Sequence, residues 1–283
     1  MRIKFANRKK RNVRGVSPAL SAVIITGMIV TLLCVVLVFA NSFLWTRLAE
    51  GEFNAAKQFM QAVGLQIDDV AWIAGRTATV RYSSKYGDVY FMTSALKYSI
   101  YVKKTGSSNY QLLYSNTTGI LLFNMPVSKY SVTNGYFEVV YPSDRTPILE
   151  GVSAPVARIF AVEKTPMSDG SFARVVVAPS IRLVNSTITT GTTPTFYTKL
   201  YLPLLTLKEA PRHSQSITIS GKSVSAVTNS SITQIKVVVE FPLAGFDNTF
   251  YNFAQTEEVF NVPNGSVIQI YIGEVEVSLG RHL

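Results

Sequence analysis

Residues Arg11–Trp45 read RNVRGVSPALSAVIITGMIVTLLCVVLVFANSFLW: a basic cluster, a glycine, a Ser-Pro pair, then a long apolar run. No charged residue occurs between Arg14 and Arg47, so the run exceeds the roughly 20 apolar residues that a bilayer-spanning helix needs. Fifteen residues between Leu20 and Leu44 are Leu, Ile, Val or Phe. At the helix centre each favours insertion, by roughly 5 to 9 kcal/mol together as an upper estimate. The stretch is too apolar for the surface of a soluble domain.

Working outward, seven bases precede the run (Arg2, Lys4, Arg8, Lys9, Lys10, Arg11 and Arg14) and the first acid is Glu50. Such a bias keeps the basic end in the cytoplasm and sends the rest of the chain across the membrane. The chain of 283 residues carries 27 bases and 17 acids. With the seven leader bases set aside, 20 bases face 17 acids, so the high pI belongs to the leader. The case for a nucleic-acid partner falls with it. Cys34, the only cysteine, lies inside the apolar run, which leaves no disulfide for the remainder of the chain.

Ser17 suits a helix N-cap and Pro18 the first helical position, where the missing N–H costs nothing. The basic leader, Arg14-Gly15, Val16-Ser17-Pro18 and the uninterrupted apolar helix together resemble the class III signal of archaeal type IV pilins and pilin-like proteins. The resemblance implies that a membrane prepilin peptidase removes residues 1–15, cutting between Gly15 and Val16, and that the helix is kept. It also implies partners, namely other pilin-like subunits, with helices leaving lipid to pack side by side. Small residues permit close helix approach, and Ala19, Ser21, Ala22, Gly27 and Thr31 are the candidates for that assembly face. The fifth mature position, a Glu in bacterial pilins, is Leu20 here, so the charge pairing of the bacterial members does not carry over.

Helical character continues past the apolar run. Phe53, Ala56, Met60, Val63, Ile67, Val70 and Ala74 recur at steps of three and four, a narrow apolar seam. It suits packing on the chain's own β domain, on neighbouring subunits, or on both. The helix is expected over 16–75, with kinks at Gly51 and Gly64.

From residue 76 the period becomes 2. Leu96, Tyr98, Ile100 and Val102 alternate with polar or exposed-type neighbours, as do Ile235, Val237, Val239 and Phe241 and then Ile268, Ile270 and Ile272. Further strands are expected at 77–83, 89–93, 111–114, 136–141, 158–162, 172–178, 196–202 and 216–220. Turn signals at 105–108, Asn134-Gly135, 168–170 and Asn264-Gly265 separate them. The expected fold class is therefore α+β: a long transmembrane, pilin-type helix followed by an antiparallel, sandwich-like β ectodomain over 76–283. The Ser/Thr-rich stretch 185–195 reads as either a long loop or a boundary between two sub-domains.

Four N-x-S/T sequons begin at Asn116, Asn185, Asn229 and Asn264, and such acceptors belong on exported chains. The two histidines, His213 and His282, are too few for a His-rich metal site, and no phosphate loop or serine elbow is present. Scattered carboxylates (Asp68, Asp69, Asp88, Asp144, Asp169 and Asp247) lack the order of a calcium loop. Neither a catalytic centre nor a metal or cofactor is expected. The reading is a pilin-like surface subunit, minor or tip, with its N-terminus cytoplasmic, its head outside and adhesion as its task. Two alternatives stay open: a single-pass anchored β protein, and a secreted one released after Val38-Phe39-Ala40.

Overall fold

The computed structural model describes residues 18–190, 193–209 and 215–280. The leader, the Gly15-Val16 junction, Ser17, His213 and His282 lie outside them. Helix α1 spans Pro18–Ala71 without interruption at Gly27, Gly51 or Gly64. It ends four residues short of the expected limit, and Ala74 is exposed beyond it, so the seam closes at Val70. The chain divides within α1 into two compact units, Met1–Leu48 and Ala49–Leu283. The second unit therefore takes in the outer helix half and does not begin at 76.

Among the described residues, eleven strands form one sheet: β1 Thr77–Arg81, β2 Asp88–Lys104, β3 Tyr110–Pro126, β4 Phe137–Tyr141, β5 Ile148–Glu150, β6 Ala157–Glu163, β7 Phe172–Pro179, β8 Ile181–Thr190, β9 Thr193–Glu209, β10 Ser216–Glu240 and β11 Glu257–Leu279. A single-turn helix, α2 (Asn248–Tyr251), links the last two. The order is β4-β6-β7-β3-β2-β10-β11-β9-β8-β5, with β1 added to β10. Most ladders are antiparallel, but β9 runs parallel to β11 and β5 parallel to β8, so the sheet is mixed. In stretch 185–195, apart from 191–192, which lie outside the described residues, the chain is strand: β8 and β9 pair across it as a hairpin inside the single sheet. Asn264-Gly265 is not a turn between strands either. It lies inside β11, where the register with β10 shifts.

Two apolar cores lie on the two faces of this sheet. The outer half of α1 supplies Phe53, Ala56, Met60, Val63, Ile67 and Val70 to one of them, all buried. They meet Leu121 and Phe123 of β3, Ile159 and Ala161 of β6, and Val175 and Val177 of β7. The alternate residues of the same strands, Ile120 and Leu122, Phe160 and Val162, Val176 and Ala178, enter the other core. Strands buried on both faces have no polar side to show. This explains why β6 and β7 read as continuous apolar runs. That other core gathers residues from β2 through β11. Non-neighbouring strands meet as well, as where the Leu205 N–H of β9 donates to Thr118 Oγ1 of β3 at 2.9 Å.

The outer helix half is locked at both ends. Near Ala49, the Glu52 carboxylate accepts from Ser84 Oγ (2.9 Å) and from the N–H groups of Lys85 and Tyr86 (both 3.1 Å), which fixes the loop between β1 and β2. At the other end, the Gly75 N–H donates to Gly221 O at 2.7 Å and the Gly221 N–H to Arg76 O at 2.9 Å. The helix end lies so close to β10 and β11 that a Cβ at Gly221 would stand 2.3 Å from Val70 O, and one at Gly273 2.3 Å from Ala71 O. Between these ends, Asp68 Oδ2 accepts from Arg182 Nη1 of β8 at 3.1 Å, while its other oxygen accepts from Trp72 Nε1 at 2.9 Å.

Candidate functional site: an uncovered apolar helix half and a polar head surface

Residues Pro18–Leu48 form the candidate assembly segment. All are exposed except the half-buried Ser21 and Ala40, and the exposed set includes Leu20, Ile24, Leu37 and Phe39. The helix satisfies its own backbone, and its hydroxyls bond inward too: Thr31 Oγ1 donates to Gly27 O at 2.9 Å and Thr46 Oγ1 to Ser42 O at 3.1 Å. Up to Ala40 such a surface asks nothing polar of its surroundings, and the helix is long and apolar enough to cross a membrane. Lipid or other apolar helices suit it, and water does not.

Gly15 and Val16 lie outside the described residues. Ala19, Ser21, Ala22, Gly27 and Thr31 all sit on α1. At about 100° per residue, Ala19, Ala22, Gly27 and Thr31 fall within roughly half of the helix circumference, and Ser21 lies across from them. Gly27 has no heavy atom within 4 Å of the place its Cβ would take, so that point of the helix is open to a neighbour. Cys34 is exposed on the same segment.

On the second unit, all four sequons lie in strands. Asn116 (β3), Asn185 (β8) and Asn264 (β11) are exposed and Asn229 (β10) is half-buried. The hydroxyls of two sequons are taken into the fold: Thr118 is 1% exposed and receives the bond from Leu205, and Ser266 is 1% exposed and donates to Pro263 O at 2.5 Å. Asn185-Ser186-Thr187 keeps both its first and last residues exposed.

Buried ionisable groups, among them Arg158, Arg174 and Glu258, escape the sequence reading. Arg158 is 2% exposed, its guanidinium lies 4.6 Å from the Phe253 ring centre, and none of its side-chain nitrogens has a hydrogen-bond partner among the described residues. Burial pushes its pKa down to about 10 against the pull of Tyr98 and Asp144, so it stays cationic at neutral pH. Arg174 lies against Phe172 and Phe246 and donates to Asp169 Oδ1 at 2.5 Å. Burial first, then the like charges Asp144 and Glu150, raise the Glu258 carboxyl to about 7. The one available signal is a lone base or acid inside an apolar strand run, as in Ala157–Glu163 and Phe172–Pro179.

Open grooves mark the surface of the second unit, and three are lined by described residues alone. One, of about 600 Å³ where β4 starts and β6 ends, contains Glu163 and Lys164. Both are already engaged: Glu163 accepts from Ser131 Oγ and the Val132 N–H, each at 2.7 Å, and Lys164 bonds Thr249 and lies 3.6 Å from Asp247. A second, of about 210 Å³, lies beside the Glu52 clasp. The third, of about 350 Å³, lies between β8, β9 and the start of β11. Among the described residues, no three of His, Cys, Asp and Glu gather where they would hold a metal ion. No family model, curated protein or solved structure matches the chain.

Proposed function

We propose that the chain is an archaeal pilin-like surface subunit. It is trimmed between Gly15 and Val16 by a prepilin peptidase, held in the membrane with its N-terminus cytoplasmic, and assembled through the inner half of α1. Its sandwich-like β head faces outward for adhesion. The observation that carries this reading is the contrast within one helix. Residues up to Leu48 are uncovered and, as far as Ala40, almost wholly apolar, whereas Phe53, Met60, Val63 and Ile67 are at most 1% exposed in the head's own core. A helix serving only as a tether has no need of a second half built into the head, whereas a subunit that transmits its position to neighbours does. The size of the head suits a minor or tip subunit.

The test is Gly27→Leu. This change keeps the span apolar and adds a side chain where the helix is open to a close neighbour. Insertion and trimming should be normal, while surface assemblies seen by electron microscopy of sheared material should be lost. Wild-type assembly by this variant would mean that the face meets lipid alone.

A further inference from the structure

The third groove has a distinctive chemistry. Strand β9 pairs with β11 only from Tyr197 opposite Val267 onward, just past Asn264-Gly265, where β11 shifts its register against β10. A notch of about 350 Å³ opens where the two strands part. Its nine lining residues include no charged side chain. Asn185, Asn261, Ser186 and Thr187 supply amides and hydroxyls, while Phe196 and Tyr197 supply rings, Phe196 being 36% exposed.

The polar groups there are half used. Thr198 Oγ1 donates to Asn185 Oδ1 at 2.9 Å and Gln234 Nε2 to Asn261 Oδ1 at 2.8 Å, which fixes both amides by their oxygens. Their Nδ2 donors stay unused among the described residues. Ser186 Oγ is buried and has no hydrogen-bond partner among the described residues, so it is available to a ligand or a water. Fixed amides, a waiting hydroxyl, aromatic surface and no charge match a ligand with many neutral hydroxyls and apolar C–H faces. They suit neither a phosphate nor a cation.

We propose that this notch seats one neutral saccharide residue. Two sources share that chemistry: the first sugar of a glycan carried on Asn185, which is exposed at the rim, or a sugar presented from outside. Attachment would form a bond between the sugar C1 and Asn185 Nδ2, expel the phosphate leaving group of an activated glycosyl donor and release one amide proton. Both sources rest on export of the head, as the pilin-like reading has it, but neither needs filaments, so failure of the notch and failure of the pilin-like reading are separable.

The full chain, made in a host without N-glycosylation and held in a detergent with no sugar headgroup, is probed by saturation-transfer NMR. The probes are the methyl glycosides of glucose, galactose, mannose and N-acetylglucosamine, with glucuronate as charged control. At least one neutral glycoside should receive saturation and glucuronate should not. Phe196→Ser and Asn261→Ala should each cut the effect several-fold without moving the melting transition. No transfer to any neutral glycoside, or transfer unchanged in both variants, overturns the proposal. The same chain is then made in a glycosylating host and mapped by mass spectrometry. A glycan on Asn185 together with loss of free-glycoside transfer assigns the notch to the chain's own sugar. Bare Asn185 with transfer retained assigns it to an external sugar, and an occupied Asn185 with undiminished transfer overturns the proposal.

Discussion

Removing α1 up to Gly75 should abolish cooperative folding of the head, whereas starting the chain at Ala49 should preserve it. Five large apolar side chains of the outer helix half, Phe53, Met60, Val63, Ile67 and Val70, are at most 1% exposed. Burying such a side chain is worth about 1.5 to 3 kcal/mol, so the five together supply about 8 to 15 kcal/mol. A realistic denatured state already hides part of that surface, which lowers the figure by roughly 10 to 40%. Even so, the loss rivals the about 5 to 15 kcal/mol that holds a typical domain together. It also uncovers Phe123, Ile159, Val175 and Ile217 on the facing sheet. Urea titrations of fragments 49–283 and 75–283, followed by far- and near-ultraviolet dichroism and by dye binding, decide the matter. The longer fragment should melt in one transition, and the shorter should bind dye and lose its near-ultraviolet signal. Equal midpoints for the two would refute the assignment of the outer helix half to the head.

Gly221→Val places a Cβ 2.3 Å from Val70 O and 2.5 Å from Ile73 O. It should therefore lower stability by at least about 1 to 3 kcal/mol in a chemical melt, although Val is the better strand former. An unchanged melt would mean that the helix end is not seated on β10. Glu258 has its folded pKa raised from the ordinary 4.5 to about 7, so the folded state holds the proton more tightly than the unfolded one. Stability is then full below about pH 4.5 and declines as pH rises through 7, by at most about 3 kcal/mol. Glu258→Gln should flatten the wild-type fall in urea midpoint between about pH 5 and about pH 8. An equal slope in the variant would assign that fall to other groups.

Several features of this architecture are legible in the sequence because local chemistry decides them. The span reads directly from the absence of charge between Arg14 and Arg47, and the seam from six positions, Phe53 to Val70, that are all buried. Ala74 fails because Gly75, at φ +83°, turns the chain onto β10, a tertiary event that periodicity does not register. Strands with one wet face, such as β10 around Ile235, show their alternation. The second half of β3, Gly119 to Phe123, does not, because both faces are buried and the run has no polar beat. The hairpin of β8 and β9 hides behind a Ser/Thr-rich composition that resembles a loop, yet those hydroxyls stand on a paired ladder. The uncharged notch was illegible for another reason: it exists only where β9 and β11, distant in sequence, run parallel and then part.

The central claim is tested most directly by the first residue of the protein recovered from the membrane or cell surface, read by N-terminal sequencing or mass spectrometry of the end peptide. The pilin-like account predicts Val16, with the apolar helix retained. Met1 would contradict it in favour of a plain membrane anchor, and Asn41 in favour of a chain released after Ala40.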